Sequence, residues 1–253
     1  MTFSETTVAV RGTKLKLRRA GSGAPLLYLH GTQWLGWLPC LDRLASRFEV
    51  IAPDHPGFGG SDDLDCIDRP SDLANFYLDA LDALSLTRVH VVGHEVGAWI
   101  GIEMAQRSAA IGSLTLIGAA GLHVEGAPKG DFFIVRPDEL PAMFFADPAL
   151  GARVLAGATA GLDPAVPHRN KMMAARLAWH PRLIDPAFGK WLHRVKVPTH
   201  FVWGAADRVI PSATAAGFTA HMPQARVTII EGAGHFPHIE REEAFVAATL
   251  AHI

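Results

Sequence analysis

Cysteine is scarce in this chain, and neither sign of charge dominates. The sequence has only two cysteines, Cys40 and Cys66, in 253 residues. It contains no C-x-x-C pair, which argues against a disulfide framework, a cysteine zinc site and a dithiol redox site. The formal net charge of −2 leaves no basic surplus to hold nucleic acid or an anionic membrane. We therefore expect neither nucleic acid nor a membrane as a partner.

Long hydrophobic runs are absent as well. No stretch reaches the roughly 20 apolar residues that a membrane-spanning helix needs. Residues 1–5 lack the charged start and apolar run of a signal peptide, so we expect a cytoplasmic protein. Thirteen histidines are scattered along the chain. Because His90 and His94 straddle the end of a strand rather than one helical face, the sequence predicts no metal site, and no cofactor motif is present.

Short apolar strands alternate with helical patterns. The runs at 25–29, 89–92 and 114–117 are apolar on both faces, which is typical of buried parallel strands. Amphipathic helical patterns lie between them, at 71–85 and 96–107. This alternation predicts a doubly wound, mostly parallel α/β sheet.

The alternation of strand and helix patterns is interrupted between residues 122 and 194. That stretch carries many prolines among short helical patterns, and it is too long for a plain connection. We therefore predict a helical cap at 122–194, inserted into a core domain made of residues 1–121 and 195–253.

The most informative motif is Gly93-His94-Glu95-Val96-Gly97, which ends an apolar strand and opens a helix. Small residues around the central position let the chain turn tightly enough to lift that side chain above the sheet. This pattern is typical of a nucleophile elbow, with glutamate where serine is usual. The competing interpretation is a plain strand-to-helix turn whose carboxylate is favoured by the helix dipole.

Three other segments end predicted strands at the same edge of the sheet. Thr32 follows the first apolar strand, Asp207 follows a strand in the C-terminal part, and His235 follows the last strand. Ligands gather at the carboxyl ends of the strands in such sheets. The chain order of elbow, acid and histidine therefore favours a catalytic site made of Glu95, Asp207 and His235.

With these segments in view, the chain resembles the α/β-hydrolase family over almost its whole length. Its C-terminal part is most similar to the capped branch that contains the meta-cleavage-product hydrolases and related esterases. The resemblance implies that Asp207 is the triad acid and His235 the triad base. It also implies an oxyanion hole formed by the backbone N–H groups of Thr32 and Val96. The matching motifs are His30-Gly31, Asp54-His55-Pro56-Gly57-Phe58-Gly59-Gly60-Ser61, the elbow, Asp207-Arg208-Val209-Ile210-Pro211 and Gly234-His235-Phe236-Pro237.

Glu95 departs from the family pattern. Members that use a carboxylate, such as the haloalkane dehalogenases and epoxide hydrolases, normally have aspartate there. Their accessory residues are missing too, since Val96 stands where dehalogenases place a tryptophan, and neither Tyr28 nor Tyr77 lies in the predicted cap. Three uses of Glu95 stay open. It can attack carbon and form an ester, act as a general base, or occupy the oxyanion hole and prevent turnover.

Large apolar side chains are frequent in the predicted cap and just after Thr32. They predict an apolar substrate pocket between cap and sheet. The candidates for its walls are Trp34, Trp37, Phe144, Met172, Trp179 and Phe236.

The sequence therefore predicts a hydrolase of a small, largely apolar ester, ketone or related compound, with Glu95 at the nucleophile position. One alternative is a lyase or cyclase in which Glu95 and His235 move protons. The other is a ligand-binding protein with a disabled nucleophile, because fold alone does not separate these functions. The expected partner is the small apolar substrate, and a homodimer is the one assembly we consider.

Overall fold

One eight-stranded sheet organises the computed structural model, which describes residues 3–253. The strand order is β1-β2-β4-β3-β5-β6-β7-β8, with β1–β2 and β2–β4 antiparallel and the other pairs parallel. The predicted mostly parallel α/β sheet is confirmed. Its strands are β1 (Ser4–Val10), β2 (Thr13–Ala20), β3 (Ala24–Leu29), β4 (Phe48–Pro53), β5 (Val89–His94), β6 (Ile111–Ile117), β7 (Thr199–Gly204) and β8 (Arg226–Ile230).

Helices cover both faces of this sheet, and the central strands show why. Successive side chains of a strand point to opposite faces. In β3, Leu27 and Leu29 join one buried cluster while Leu26 and Tyr28 join the other. The helices are α1 (Pro39–Leu44), α2 (Pro70–Ala83), α3 (Val96–Arg107), α4 (Leu140–Phe144), α5 (Pro148–Thr159), α6 (Ala165–Ala178), α7 (Thr214–His221), α8 (Pro237–Glu240) and α9 (Glu242–Leu250). Within residues 3–253, none of them combines the length and apolar character needed to cross a bilayer.

Between β6 and β7 the chain leaves the sheet and forms α4, α5, α6 and a 3-10 helix at Phe188–Arg194. Hydrogen bonds tie this segment to the loops at the carboxyl ends of the strands. The His235 N–H donates to the Phe144 carbonyl at 2.7 Å, and the Gly59 N–H donates to Asn170 Oδ1 at 3.0 Å. The inserted helices therefore lie over that edge of the sheet. The division into a core and a cap at residues 122 and 194 stays a prediction.

Candidate active site

Glu95 lies at the sharp turn between β5 and α3. Its backbone has φ 52° and ψ −109°, a left-handed conformation that a non-glycine residue adopts only when its surroundings hold it there. The Glu95 N–H donates to the Ile117 carbonyl at 2.9 Å. A Cβ atom on Gly93 would collide with the Gly97 carbonyl, and one on Gly97 would collide with the Leu29 carbonyl. The glycines thus allow the close packing of strand and helix that this turn requires.

Asp207 and His235 form a buried pair on the loops after β7 and β8. The His235 Nδ1–H donates to Asp207 Oδ2 at 2.8 Å. The other carboxylate oxygen accepts the Val209 and Ile210 N–H groups at 2.8 and 2.9 Å. Because the carboxylate is held by three donors, it orients the imidazole ring and leaves Nε2 directed away from Asp207.

That second ring nitrogen lies beside the elbow carboxylate. His235 Nε2 is 3.7 Å from Glu95 Oε2, beyond hydrogen-bond distance, and this buried nitrogen has no hydrogen-bond partner among residues 3–253. Burial alone would lower the pKa of His235, but the charge and hydrogen bond of Asp207, together with Glu95, raise it to about 9. The ring is therefore an imidazolium at neutral pH, placed between two carboxylates.

Thr32 also contacts the Glu95 carboxylate. Its backbone N–H donates to Oε2 at 3.1 Å, and its hydroxyl oxygen lies 2.8 Å from each carboxylate oxygen. The carboxylate thus occupies the Thr32 donor of the predicted oxyanion hole. Val96 is buried as the first residue of α3. The use of its N–H group as the second donor stays a prediction.

Buried histidines fix the loop that carries Thr32. His30 Nδ1–H donates to the Gly31 carbonyl at 2.7 Å, while its Nε2 accepts the His55 N–H at 3.0 Å. His55 Nε2–H donates to the His30 carbonyl at 2.8 Å, and its Nδ1 accepts the Tyr77 hydroxyl at 2.5 Å. Burial lowers the pKa of His30 to about 4, so its ring stays neutral in this network. The Thr32 amide is therefore rigidly placed.

A cavity of 290 Å³ begins at Thr32 and extends beneath the inserted helices. Its walls are largely aromatic and aliphatic, and they include Trp34, Phe132, Phe133 and Leu140. Trp34, a predicted wall residue, is held by a hydrogen bond from its Nε1–H to Asp54 Oδ1 at 2.6 Å. Asp54 in the Asp54–Ser61 loop therefore supports the pocket wall through Trp34.

Phe144 and Phe236 lie beside the histidine rather than in the wall of this cavity. The Phe144 ring stacks on His235 with a centroid distance of 5.9 Å, and Phe236 stacks on Phe145 at 4.9 Å. Both predicted wall residues are buried. They form the apolar roof over His235.

The structure does not bring the other three predicted wall residues to the cavity. Trp37 packs on Phe3 at 5.0 Å, away from the cavity, and donates its Nε1–H to Asp42. Met172 is 60% exposed, because it points outward from α6. Trp179 is 46% exposed, and its ring packs against Phe133 and the Arg182 guanidinium.

Lys129 is a partly buried charge that the sequence analysis missed. Its Nζ donates to the Leu122 and Leu183 carbonyls at 2.9 and 2.8 Å, which connects the start of the inserted segment to the loop after α6. Burial lowers the pKa of Lys129 to about 7, although the charge of Glu95 opposes the shift. No motif surrounds this lysine, so the sequence offers no signal for it.

His94 is the second residue whose position was missed. Its Nε2–H donates to the His235 carbonyl at 3.0 Å, and the two imidazole rings lie 4.6 Å apart. One potential metal-ligand atom from each of His94, Glu95 and His235 lies within 4.8 Å of the other two. The sequence pattern did not reveal this grouping, because His235 lies 140 residues after Glu95 in the chain.

Comparisons with known proteins agree with this architecture. By sequence, the chain is 27% identical over 264 residues to the 2-hydroxy-6-oxononadienedioate/2-hydroxy-6-oxononatrienedioate hydrolase of Burkholderia vietnamiensis, covering 92% of this chain and 89% of that protein. By structure, it is similar to the meta-cleavage product hydrolase from Pseudomonas fluorescens IP01, with a TM-score of 0.83, 20% identity, and coverage of 98% of this chain and 96% of that one. It is also similar to a serine hydrolase involved in carbazole degradation, with a TM-score of 0.77, 28% identity, and coverage of 99% and 98%.

These relatives confirm the similarity to the meta-cleavage-product hydrolases and support a hydrolase. A family model described as the alpha/beta hydrolase family matches residues 26–248. That range runs from β3 to α9 and contains the elbow, Asp207 and His235. The chain therefore belongs to the alpha/beta hydrolase family.

Proposed function

We propose that the protein hydrolyses a small, largely apolar compound and that Glu95 is the attacking carboxylate. The observation that carries this proposal is the position of Glu95 Oε2 on the Thr32 N–H at 3.1 Å, beside a His235 Nε2 that lacks a partner within the described chain. The Thr32 donor that would stabilise a substrate carbonyl oxygen is thus taken by the carboxylate of the protein itself. Attack on saturated carbon fits this arrangement better than attack on an acyl carbon.

In the first step, Glu95 Oε1 attacks a saturated carbon that carries a leaving group. A new C–O bond forms, the bond to the leaving group breaks, and the electron pair departs with that group as an anion. The proton that His235 releases neutralises this anion. The protein is left with an alkyl ester on Glu95 and a neutral imidazole, because the carboxylate charge that helped to hold the proton is gone.

In the second step, water attacks Glu95 Cδ and gives its proton to His235 Nε2. Negative charge then develops on Oε2, the atom that already accepts the Thr32 N–H. Collapse of this intermediate expels the alcohol, which takes the proton from His235, and leaves Glu95 as a carboxylic acid. Transfer of the carboxylic acid proton to His235 then restores the carboxylate and the imidazolium. The Thr32 N–H therefore stabilises the negative charge on Oε2 without any movement of the side chain.

The substrate follows from the cavity. A volume of 290 Å³ with aromatic walls fits a small, mostly apolar molecule. The substrate has to fit this apolar cavity and to carry a leaving group on saturated carbon. An ester cleaved at its alkyl–oxygen bond, or a related compound with another leaving group, meets both conditions. A ketone does not, because its cleavage needs attack on the carbonyl carbon.

Trapping of the ester tests this proposal. In His235→Ala the first step still proceeds for leaving groups that are stable as anions, and the second step stops, so short alkyl bromides and benzyl esters serve as probes. We expect at least one probe to add its alkyl mass to the peptide that contains Glu95, and no adduct in Glu95→Gln/His235→Ala. Full turnover of that probe by His235→Ala would contradict the mechanism.

A second candidate is a ligand-binding protein whose carboxylate blocks the oxyanion hole. The full burial of Glu95 and the two contacts of the Thr32 hydroxyl with its carboxylate favour it. This candidate predicts that a neutral apolar dye such as N-phenyl-1-naphthylamine binds the cavity while none of the alkylating probes modifies His235→Ala.

A further inference from the structure

Three buried side chains at the elbow carry the donor set of a zinc site. We propose that His94, Glu95 and His235 bind one zinc ion, with the fourth position open to water or another small ligand. Two imidazole nitrogens and one carboxylate oxygen are donors that zinc accepts, whereas calcium and magnesium prefer oxygen ligands throughout. This inference goes beyond the hydrolase function and does not depend on it.

The distances fit a four-coordinate ion. The three ligand atoms lie within 4.8 Å of one another, and the Glu95 Oε2 to His235 Nε2 separation is 3.7 Å. Zinc–ligand bonds of about 2.0–2.2 Å place neighbouring ligand atoms of a tetrahedron about 3.3–3.6 Å apart. Small side-chain rotations therefore bring the three atoms onto one ion.

The imidazole of His235 is oriented as a metal ligand would be. Its Nδ1–H donates to the Asp207 carboxylate at 2.8 Å, so zinc binds at Nε2, where it replaces the proton of the imidazolium. A histidine that donates one nitrogen to a carboxylate and offers the other is the usual arrangement around zinc. This Nε2 is also a buried polar atom with no partner in residues 3–253, and zinc supplies one.

His94 is fixed in the complementary tautomer. Its Nε2 lies 3.0 Å from the His235 carbonyl, which can only accept, so Nε2 carries the proton and Nδ1 carries the lone pair. Nδ1 and Glu95 Oε2 are both 2.7 Å from the position that a Cβ atom on Gly31 would take. The two atoms therefore face the same side of the Gly31 backbone, and the missing side chain keeps that side open.

Neighbouring groups orient the Glu95 ligand and supply negative charge to the proposed zinc site. Thr32 orients the Glu95 carboxylate through its N–H and hydroxyl. Glu95 and Asp207 together place two negative charges beside the ion, which a divalent cation neutralises. Bound zinc uses the lone pairs that attack on carbon and proton transfer require, so the zinc form is catalytically silent and the metal-free form is the reactive one.

The experiment measures zinc binding to the full chain without any substrate. After treatment with a chelator and its removal, the protein is titrated with ZnCl₂ by calorimetry and with CoCl₂ by visible absorption. We expect one zinc per chain and the intense visible bands of four-coordinate cobalt. Glu95→Gln keeps the shape of the side chain and should bind zinc at least about 10-fold more weakly, and Asp207→Asn about 10–100-fold more weakly.

His123→Gln is the matched control, because His123 is an exposed histidine whose loss should leave zinc affinity unchanged. Circular dichroism confirms that each variant is folded. A wild type that binds less than one zinc at 100-fold excess would overturn the proposal, and so would a folded Glu95→Gln that binds zinc as tightly as the wild type. Either result leaves the hydrolase proposal standing, since alkyl trapping in His235→Ala is measured separately.

Discussion

The hydroxyl oxygen of Thr32 lies 2.8 Å from both carboxylate oxygens of Glu95, and the Thr32 N–H binds one of them at 3.1 Å. One residue of the loop after β3 thus holds a charged side chain from the turn between β5 and α3. In a serine hydrolase the corresponding N–H group is free to bind an oxygen of the substrate. Here it is already occupied, and this difference sets the expected reactivity of the site.

Replacing Glu95 by serine should create an esterase. The turn is held by backbone contacts of Glu95, Gly93 and Gly97 rather than by the glutamate side chain, and serine is smaller, so the variant should fold. The Thr32 N–H becomes free for a substrate oxyanion, and one such donor is worth about 2.7–4 kcal/mol in the transition state. We expect Glu95→Ser to hydrolyse short p-nitrophenyl esters at least about 100-fold faster than the wild type, measured by steady-state kinetics. A folded Glu95→Ser no faster than its His235→Ala double variant would show that the triad geometry is wrong.

Serine-directed phosphonates should not label the wild type at the elbow. These reagents need an activated hydroxyl, and Glu95 offers only a carboxylate. Intact-mass spectra after long incubation should show unmodified wild type and a stoichiometric adduct on Glu95→Ser. The control is Glu95→Ser with His235→Ala, which lacks the base and should stay unlabelled. A wild-type adduct mapped to the elbow peptide would refute the assignment of Glu95.

Removal of the Thr32 hydroxyl should destabilise the fold. Thr32→Val keeps the side-chain shape but takes a donor from a buried carboxylate, which should cost about 1.5–3 kcal/mol in the free energy of unfolding by urea. Thr115→Val is the matched control, because the Thr115 hydroxyl is buried and has no partner within residues 3–253. That variant should be neutral or more stable than the wild type. Equal losses in the two variants would mean that the Thr32–Glu95 contact carries no stability.

Lys129 should make stability depend on pH. Its folded pKa of about 7 is below the ordinary 10.5, so the folded state binds fewer protons than the unfolded state between these values. The contribution of Lys129 is fully present above pH 10.5 and is lost as the pH falls through 7. The free energy of unfolding of the wild type minus that of Lys129→Met should therefore rise from pH 6 to pH 9.

The exposed Lys190 provides the control for this comparison. The difference between the wild type and Lys190→Met should stay flat over the same range. A flat difference for Lys129→Met as well would show that the Lys129 amine keeps its proton in the folded state across this range.

The elbow and its partners could be predicted because local sequence sets them. The predicted helix at 96–107 has the observed bounds of α3, and Gly93 and Gly97 mark a turn that larger residues cannot make. Asp207 and His235 follow strands whose carboxyl ends meet at one edge of the sheet. The order and direction of the strands bring these loop residues together, and this holds for any side chains in the rest of the loops.

The pocket walls could not be predicted in the same way, since they depend on packing across the inserted segment. Met172 and Met173 are neighbours on α6, yet Met172 is 60% exposed and Met173 only 2%. A rotation of about 100° per residue separates their faces. Only the packing of α6 against the rest of the fold, where Met173 lies against Gly57, decides which methionine points inward.

Phe144 connects the inserted helices to the loop that carries His235. Its ring covers His235, and its carbonyl accepts the His235 N–H at 2.7 Å, so the residue that roofs the site is bonded to the loop that carries the base. Glu95 and His235 are fully buried, and neither of them lines the cavity that begins at Thr32. The carboxylate and the imidazole are thus enclosed by protein atoms, and bulk water does not reach them in this conformation.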